Sequence, residues 1–184
     1  MTTSAKLMTA DELLNMPDDG PRYELIKGKL IELAPPPGFL HGSVAGNAYW
    51  ELRDFARRSG AGRVLAAETG FKISSAPDTV RAPDAAFVAT ERLPDGDPPE
   101  GYLPFAPDLL VEVVSPSDRA VDVQDKVRMW LGAGARLVWV AYPSTKTVVA
   151  HRSKTDVSIV EGEQLLSGDP VLEGFSIPVS RLFE

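Results

Sequence analysis

The run Leu137-Val138-Trp139-Val140-Ala141-Tyr142 is almost wholly apolar and β-prone, and it follows directly on Gly132 and Gly134. A strand with one wet face alternates polar and apolar side chains, so a run like this one suits a strand covered on both faces. It belongs at the centre of a sheet. A second run, Leu109-Leu110-Val111-Glu112-Val113-Val114, is as apolar except for one carboxylate. An ionised group among such neighbours is costly to bury unless it is paired or bound to a metal. Glu112 is therefore the most informative residue of the chain, and a divalent cation is its expected partner.

The elements around these runs follow from local signals. Thr9 with Glu12 three residues later has capping-box spacing and opens a short helix that Pro17 ends. Two β-prone runs around Lys27-Gly28, from Arg22 to Leu33, predict an N-terminal hairpin with Gly28 at positive φ. Pro35 to Pro37 stiffen the connection to a helix over about His41 to Arg58, with Val44, Ala48, Leu52, Phe55 and Ala56 at helical spacing. Strands are expected over Val64 to Ile73, Asp84 to Ala89 and Leu109 to Val114. The loop from Thr90 to Pro107, with five prolines and two glycines, reads as irregular and exposed. A second long helix should start with Ser117 as N-cap and Asp118 in its first turn, turning Val123, Val127, Trp130 and Leu131 toward the sheet. Thr147 to Arg152 reads as the hairpin partner of the strand at 137–142, and the tail through Phe175, Ile177, Leu182 and Phe183 as short strands or turns. The order helix, three strands, helix, strand predicts one α/β domain over residues 1–184.

At 184 residues and 43% hydrophobic, the chain is long enough to bury roughly 70% of its unfolded surface in one core. It has no Cys, which removes disulfides, zinc-thiolate sites and thiol nucleophiles. Neither an apolar leader at Met1 to Leu7 nor a run long enough to span a bilayer is present, so the expectation is a cytoplasmic protein with no membrane partner. A net charge of −7 argues against a broad basic footprint for nucleic acid. It leaves room for a local one, and Arg53, Arg57, Arg58 and Arg63 cluster at the end of the first long helix; a solvated helix face is the simpler reading of them.

Asp84, after Pro83 at the start of its strand, supplies a second carboxylate. Two carboxylates on adjacent strands can converge on Mg²⁺, a hard cation that takes one or two protein carboxylates together with water and substrate phosphate. Such a site suits phosphodiester hydrolysis. Lys126, on the flank of the sheet-facing stripe, can reach back toward Glu112 and orient water or balance charge. Pro83-Asp84, the segment Glu112-Val113-Val114-Ser115-Pro116-Ser117 and the helix bearing Lys126 together resemble the Uma2 family, also called DUF820, grouped with restriction endonucleases in the PD-(D/E)XK nuclease superfamily. The resemblance extends to Tyr23-Glu24-Leu25-Ile26 with Gly28, His41 with Gly46-Asn47, Glu68-Thr69-Gly70-Phe71, Pro107-Asp108-Leu109, and the closing Gly174-Phe175 to Leu182-Phe183. It implies a restriction-endonuclease-like αβββαβ core with a mixed central sheet flanked by helices, and a Mg²⁺ site at Asp84 and Glu112 for which Mn²⁺ can substitute. The wider superfamily places its lysine two residues after the second carboxylate, where this chain has Val114. Uma2-like chains supply it from the following helix, which is Lys126 here.

The expected activity is therefore a metal-dependent endonuclease acting on nucleic acid, DNA ahead of RNA. Asp84 and Glu112 would hold the metal, the Val113 carbonyl would add a ligand, and Lys126 would position water. A homodimer would let two such sites address both strands. The alternative is a non-cleaving module of the same fold that binds nucleic acid or a protein partner. Each residue also has a structural reading: Asp84 as a turn former, Glu112 as half of an ion pair with Lys126 or an arginine, Lys126 as the partner of Asp122, and Asp108 as a turn residue. Glu24 and Glu68 read as strand residues on a wet face, second-tier candidates for the same site. His41 lacks a neighbouring histidine, His151 being the only other, so a His-based site is disfavoured. Trp130, Trp139 and Phe87 read as core, and Trp50 is the one tryptophan considered for exposed stacking.

Overall fold

The computed structural model describes residues 6–17, 20–97 and 99–184. The reading of a missing leader falls largely on residues 1–5, outside the described residues. Helix α1 (Ala10–Leu14) carries the expected capping box between Thr9 and Glu12. Strands β1 (Tyr23–Ile26) and β2 (Lys29–Glu32) form the hairpin, with Lys27 and Gly28 both at positive φ in its two-residue turn. The hairpin joins β4 (Phe71–Ser74) and β5 (Thr79–Arg81) in a four-stranded sheet of order β2-β1-β5-β4.

The larger sheet has six strands. Helix α2 (Phe39–Ser59) precedes β3 (Gly62–Ala66), β6 (Ala85–Ala89) and β7 (Leu109–Val113), which pair antiparallel in that order. Helix α3 (Ala120–Gly132) then crosses over to β8 (Leu137–Tyr142), parallel to β7 and followed by β9 (Thr147–His151) and β10 (Val157–Glu161). The order β10-β9-β8-β7-β6-β3 makes β7 and β8 the inner pair, as their apolar runs require. β11 (Leu165–Ser167), β12 (Ser176–Pro178) and a final 3-10 turn close the chain.

Strand alternation sorts the core into two layers. Phe87, Leu109, Val111, Leu137 and Trp139 pack toward Val44, Ala48, Leu52 and Ala56 of α2, with Phe175 from the tail. Ala86, Val88, Leu110, Val138 and Val140 pack toward Val123, Val127 and Trp130 of α3. Leu131 is only partly buried beside that stripe.

Three local expectations need correction. Val64 to Ile73 is not one strand: it divides into β3 and β4, in different sheets, at a turn where Glu68 has φ of 73°. Helix α3 starts later than expected, with Arg119 as N-cap, because the Asp118 carboxylate instead accepts the Ser115 N–H at 2.8 Å and stabilises a turn ahead of the helix. The inner end of the loop from Thr90 to Pro107 is not exposed, since Leu103 and Ala106 are buried. Asp108, expected as a turn residue, stands at a bend before β7 but does more than turn the chain. It is wholly buried, accepts the Ala89 N–H at 3.0 Å, and pairs with Arg92 at 2.9 Å and Arg136 at 3.6 Å.

Candidate active site

Ala85 of β6 lies opposite Val111 of β7, and the Asp84 N–H donates to the Val111 carbonyl at 3.0 Å. Continued by one residue, this register sets Asp84 against Glu112. Glu112 shares strand parity with Leu110, which packs toward α3, whereas the Asp84 carboxylate, just ahead of β6, stands beside His41 of α2. The two carboxylates therefore lie near one another at the end where β7 runs out, close enough for the charge of Glu112 to act on Asp84.

Glu112 is only 8% exposed, yet both its oxygens have protein donors. Trp130 Nε1 donates to Oε1 at 2.8 Å, and Lys126 Nζ donates to Oε2 at 3.0 Å. Lys126 and Trp130 are four residues apart on α3 and so project from one face of the helix. The helix grips the carboxylate at two points. Burial alone would push the Lys126 ammonium down, but the charge and hydrogen bond of Glu112 outweigh it and hold its pKa above the usual lysine range. The lysine does not pair with Asp122.

Asp84 Oδ2 accepts the Val113 N–H at 2.7 Å, and His41 Nε2 stands 3.5 Å from the same oxygen. Burial, and after it the negative charge of Glu112, push the Asp84 carboxyl above the usual aspartate range; the Val113 N–H, His41 and Lys126 act against that. Ionised Asp84 is thus held in a place that does not favour it, the condition in which a bound cation gives most relief.

Three further residues belong to this neighbourhood. Glu24, expected on a wet face, is buried on β1, where Arg81 NH1 lies 2.7 Å from Oε2 and the Ala82 N–H donates to Oε1 at 3.2 Å. Its carboxyl is pushed up by burial, against the opposing charge of Arg81. Arg81 itself is buried, and its Nε finds no hydrogen-bond partner among the described residues. Glu68 lies in the turn after β3 rather than on a strand, exposed and paired with Arg22. His41 and Arg81 were not legible as site residues. Their partners are carboxylates distant in sequence, and only strand pairing brings them close.

These groups border an open cleft of about 850 Å³ whose lining includes Glu24, His41, Asp84, Glu112, Val113 and Lys126. It lies where the two sheets meet, and the first half of α2 forms one wall. A family model, Uma2, described as "Putative restriction endonuclease", matches residues 10–180. The chain belongs to the Uma2 family. Its fold is also that of a solved chain described as "a putative nuclease belonging to DUF820" from Anabaena variabilis, with a TM-score of 0.81 and 21% identity over 96% of this chain and 97% of that one. No curated protein matches this Uma2 chain. Family and fold together support a nuclease, and among the described residues no helix is long and apolar enough to cross a membrane.

Proposed function

We propose that this Uma2 protein is a metal-dependent endonuclease that hydrolyses phosphodiester bonds of nucleic acid, DNA ahead of RNA, in the cytoplasm. The observation that carries the reading is the reach of Lys126 from α3 to Glu112 beside Asp84, on the floor of an open cleft. It brings an ammonium close to the carboxylates although Val114, just past β7, fills the superfamily's lysine position.

The donor set fits a hard cation such as Mg²⁺, or Mn²⁺ in its place. Asp84 and Glu112 offer only oxygens, and the charge of Glu112 disfavours ionised Asp84, a cost that a cation between them would relieve. Among the described residues no three His, Cys, Asp or Glu gather into a closed metal cage. Mg²⁺ takes few protein ligands and keeps water and phosphate in its shell, so two carboxylates would be enough. Asp84 and Glu112 would hold the ion, with the Val113 carbonyl as a third ligand. Bound there, it would lower the pKa of a water molecule and offset charge gathering on the phosphate.

The protein's own groups do the rest. The Trp130 indole and the Val113 N–H fix the two carboxylates in place before substrate arrives. Lys126 keeps a charged ammonium at the cleft floor, where it can hold the attacking water by a hydrogen bond or stabilise an anionic oxygen. Arg81 neutralises Glu24, so that a third buried carboxylate does not add its full charge against the phosphate.

The test is cleavage of plasmid and oligonucleotide substrates with Mg²⁺ and with Mn²⁺, the Glu112→Gln protein run alongside. Metal-dependent cleavage by the wild type and none by the variant is expected. A wild type inert on DNA and RNA with both metals would leave the non-cleaving module as the reading.

A further inference from the structure

Trp130 and Trp139 are wholly buried, whereas Trp50 is 63% exposed on α2, the helix that walls the cleft. Phe39, at the start of the same helix, is 90% exposed. Phe39, Trp50 and Arg57 are separated by eleven and then seven residues, about three and two turns, so all three project from one side of α2. Arg53 stands one turn beyond Trp50, toward the cleft-lining Tyr49, whose ring it overlies at 5.6 Å and whose hydroxyl accepts its hydrogen bond.

We propose that this side of α2 is a docking track for a single-stranded DNA segment leading into the cleft, with Trp50 stacking on a base and Arg53 and Arg57 meeting the phosphates. This rests on the nuclease reading and narrows its substrate. Charge supports it: Arg58 is occupied by Asp54 and Arg181 by Glu51, while Arg57 has no carboxylate partner among the described residues, in a chain of net charge −7. Unpaired cations beside exposed aromatic rings fit a ligand that presents both phosphates and flat base faces. A duplex hides those faces within its stack. Continuity supports it too, since Gly46 and Tyr49, next to Trp50 on the helix, line the cleft. Gly46 has nothing within 4 Å of where a Cβ would stand, which leaves an open notch between Phe39 and Trp50.

The test measures binding of a labelled dT oligonucleotide and of a matched duplex in EDTA, by anisotropy and by intrinsic tryptophan fluorescence. The wild type should bind the single strand more tightly and show quenching, which reports Trp50 because the other two indoles are buried. Trp50→Ala should weaken binding about tenfold, on the scale of one base stacked on one ring, and Trp50→Phe should restore most of it. Arg57→Gln should weaken binding and reduce the salt slope by about one. Equal affinity of Trp50→Ala and wild type, or a wild-type preference for duplex, would overturn the track. So would a dimer in sedimentation that Trp50→Ala dissolves, because the face would then belong to a second copy. Hydrolysis of bis(p-nitrophenyl) phosphate with Mn²⁺, a substrate too small to use the track, separates the two readings. It should be equal in wild type and Trp50→Ala, and its absence from a wild type that still binds the dT strand would sink the nuclease reading alone.

Discussion

The indole N–H of Trp130 donates to Glu112 Oε1 at 2.8 Å inside the layer between α3 and the sheet. One core side chain thus packs the helix and orients the carboxylate. Trp130→Phe keeps a ring in place and removes the donor. It should lower stability by about 1–3 kcal/mol and weaken Mg²⁺ affinity by roughly 10–100-fold, the usual cost of losing a group that orients a ligand. Denaturant melts and a Mg²⁺ titration of the melting temperature check both effects.

Burial, and after it the charge of Glu112, raise the pKa of the Asp84 carboxyl, so its ionised form is disfavoured where it stands. Asp84→Asn should leave the metal-free melting temperature unchanged or raise it, and should shrink the rise that Mg²⁺ or Mn²⁺ produces in the wild type. A cation shift of equal size in both proteins would place the binding site elsewhere.

Lys126→Met removes the ammonium but keeps the length of the side chain and the Trp130 bond to Glu112. Cleavage should fall by ~10² or more, as when one preorganised electrostatic partner is lost, while binding of metal and nucleic acid persists. Unchanged cleavage would remove Lys126 from the mechanism.

Asp108 lies at the other end of β7 from Glu112 and ties the Ala89 N–H to Arg92. Asp108→Ala strands a buried donor and should cost roughly 2–3 kcal/mol in denaturant melts. The Mg²⁺ shift of the melting temperature should survive, which separates a structural carboxylate from the pair at the site.

His151 is buried on β9, and burial lowers its pKa below the usual 6.5. The unfolded chain therefore binds this proton more readily than the native one, so His151 costs stability as pH falls from about 6.5 through its lowered native value. His151→Gln lacks this cost. Relative to the wild type, its melting temperature should improve on going from about pH 7 to about pH 5, as followed by calorimetry.

Much of this architecture is local information. The capping box at Thr9, the Lys27-Gly28 turn, the stripe of α3 and the apolar runs of β7 and β8 are each written in neighbouring residues, and each forms as expected. The reach of Lys126 was legible because helix periodicity fixes which side of α3 it leaves. The division of Val64 to Ile73 was not, since β-propensity carries no mark of the positive φ at Glu68 that sends the chain into another sheet. The burial of Glu24 depends on Arg81, and the place of His41 depends on Asp84. Such pairs exist only once distant strands and helices have met, and no periodicity announces them.

That division at Glu68 also has a mechanical meaning. Glu112 stands on β7 of the six-stranded sheet and Asp84 just ahead of the neighbouring β6, tied to β7 by its N–H to the Val111 carbonyl, whereas Glu24 and Arg81 belong to the four-stranded one. The cleft straddles the seam. A change in the angle between the two sheets would carry Glu24 and Arg81 toward or away from Asp84 and Glu112, and so narrow or widen the cleft they share.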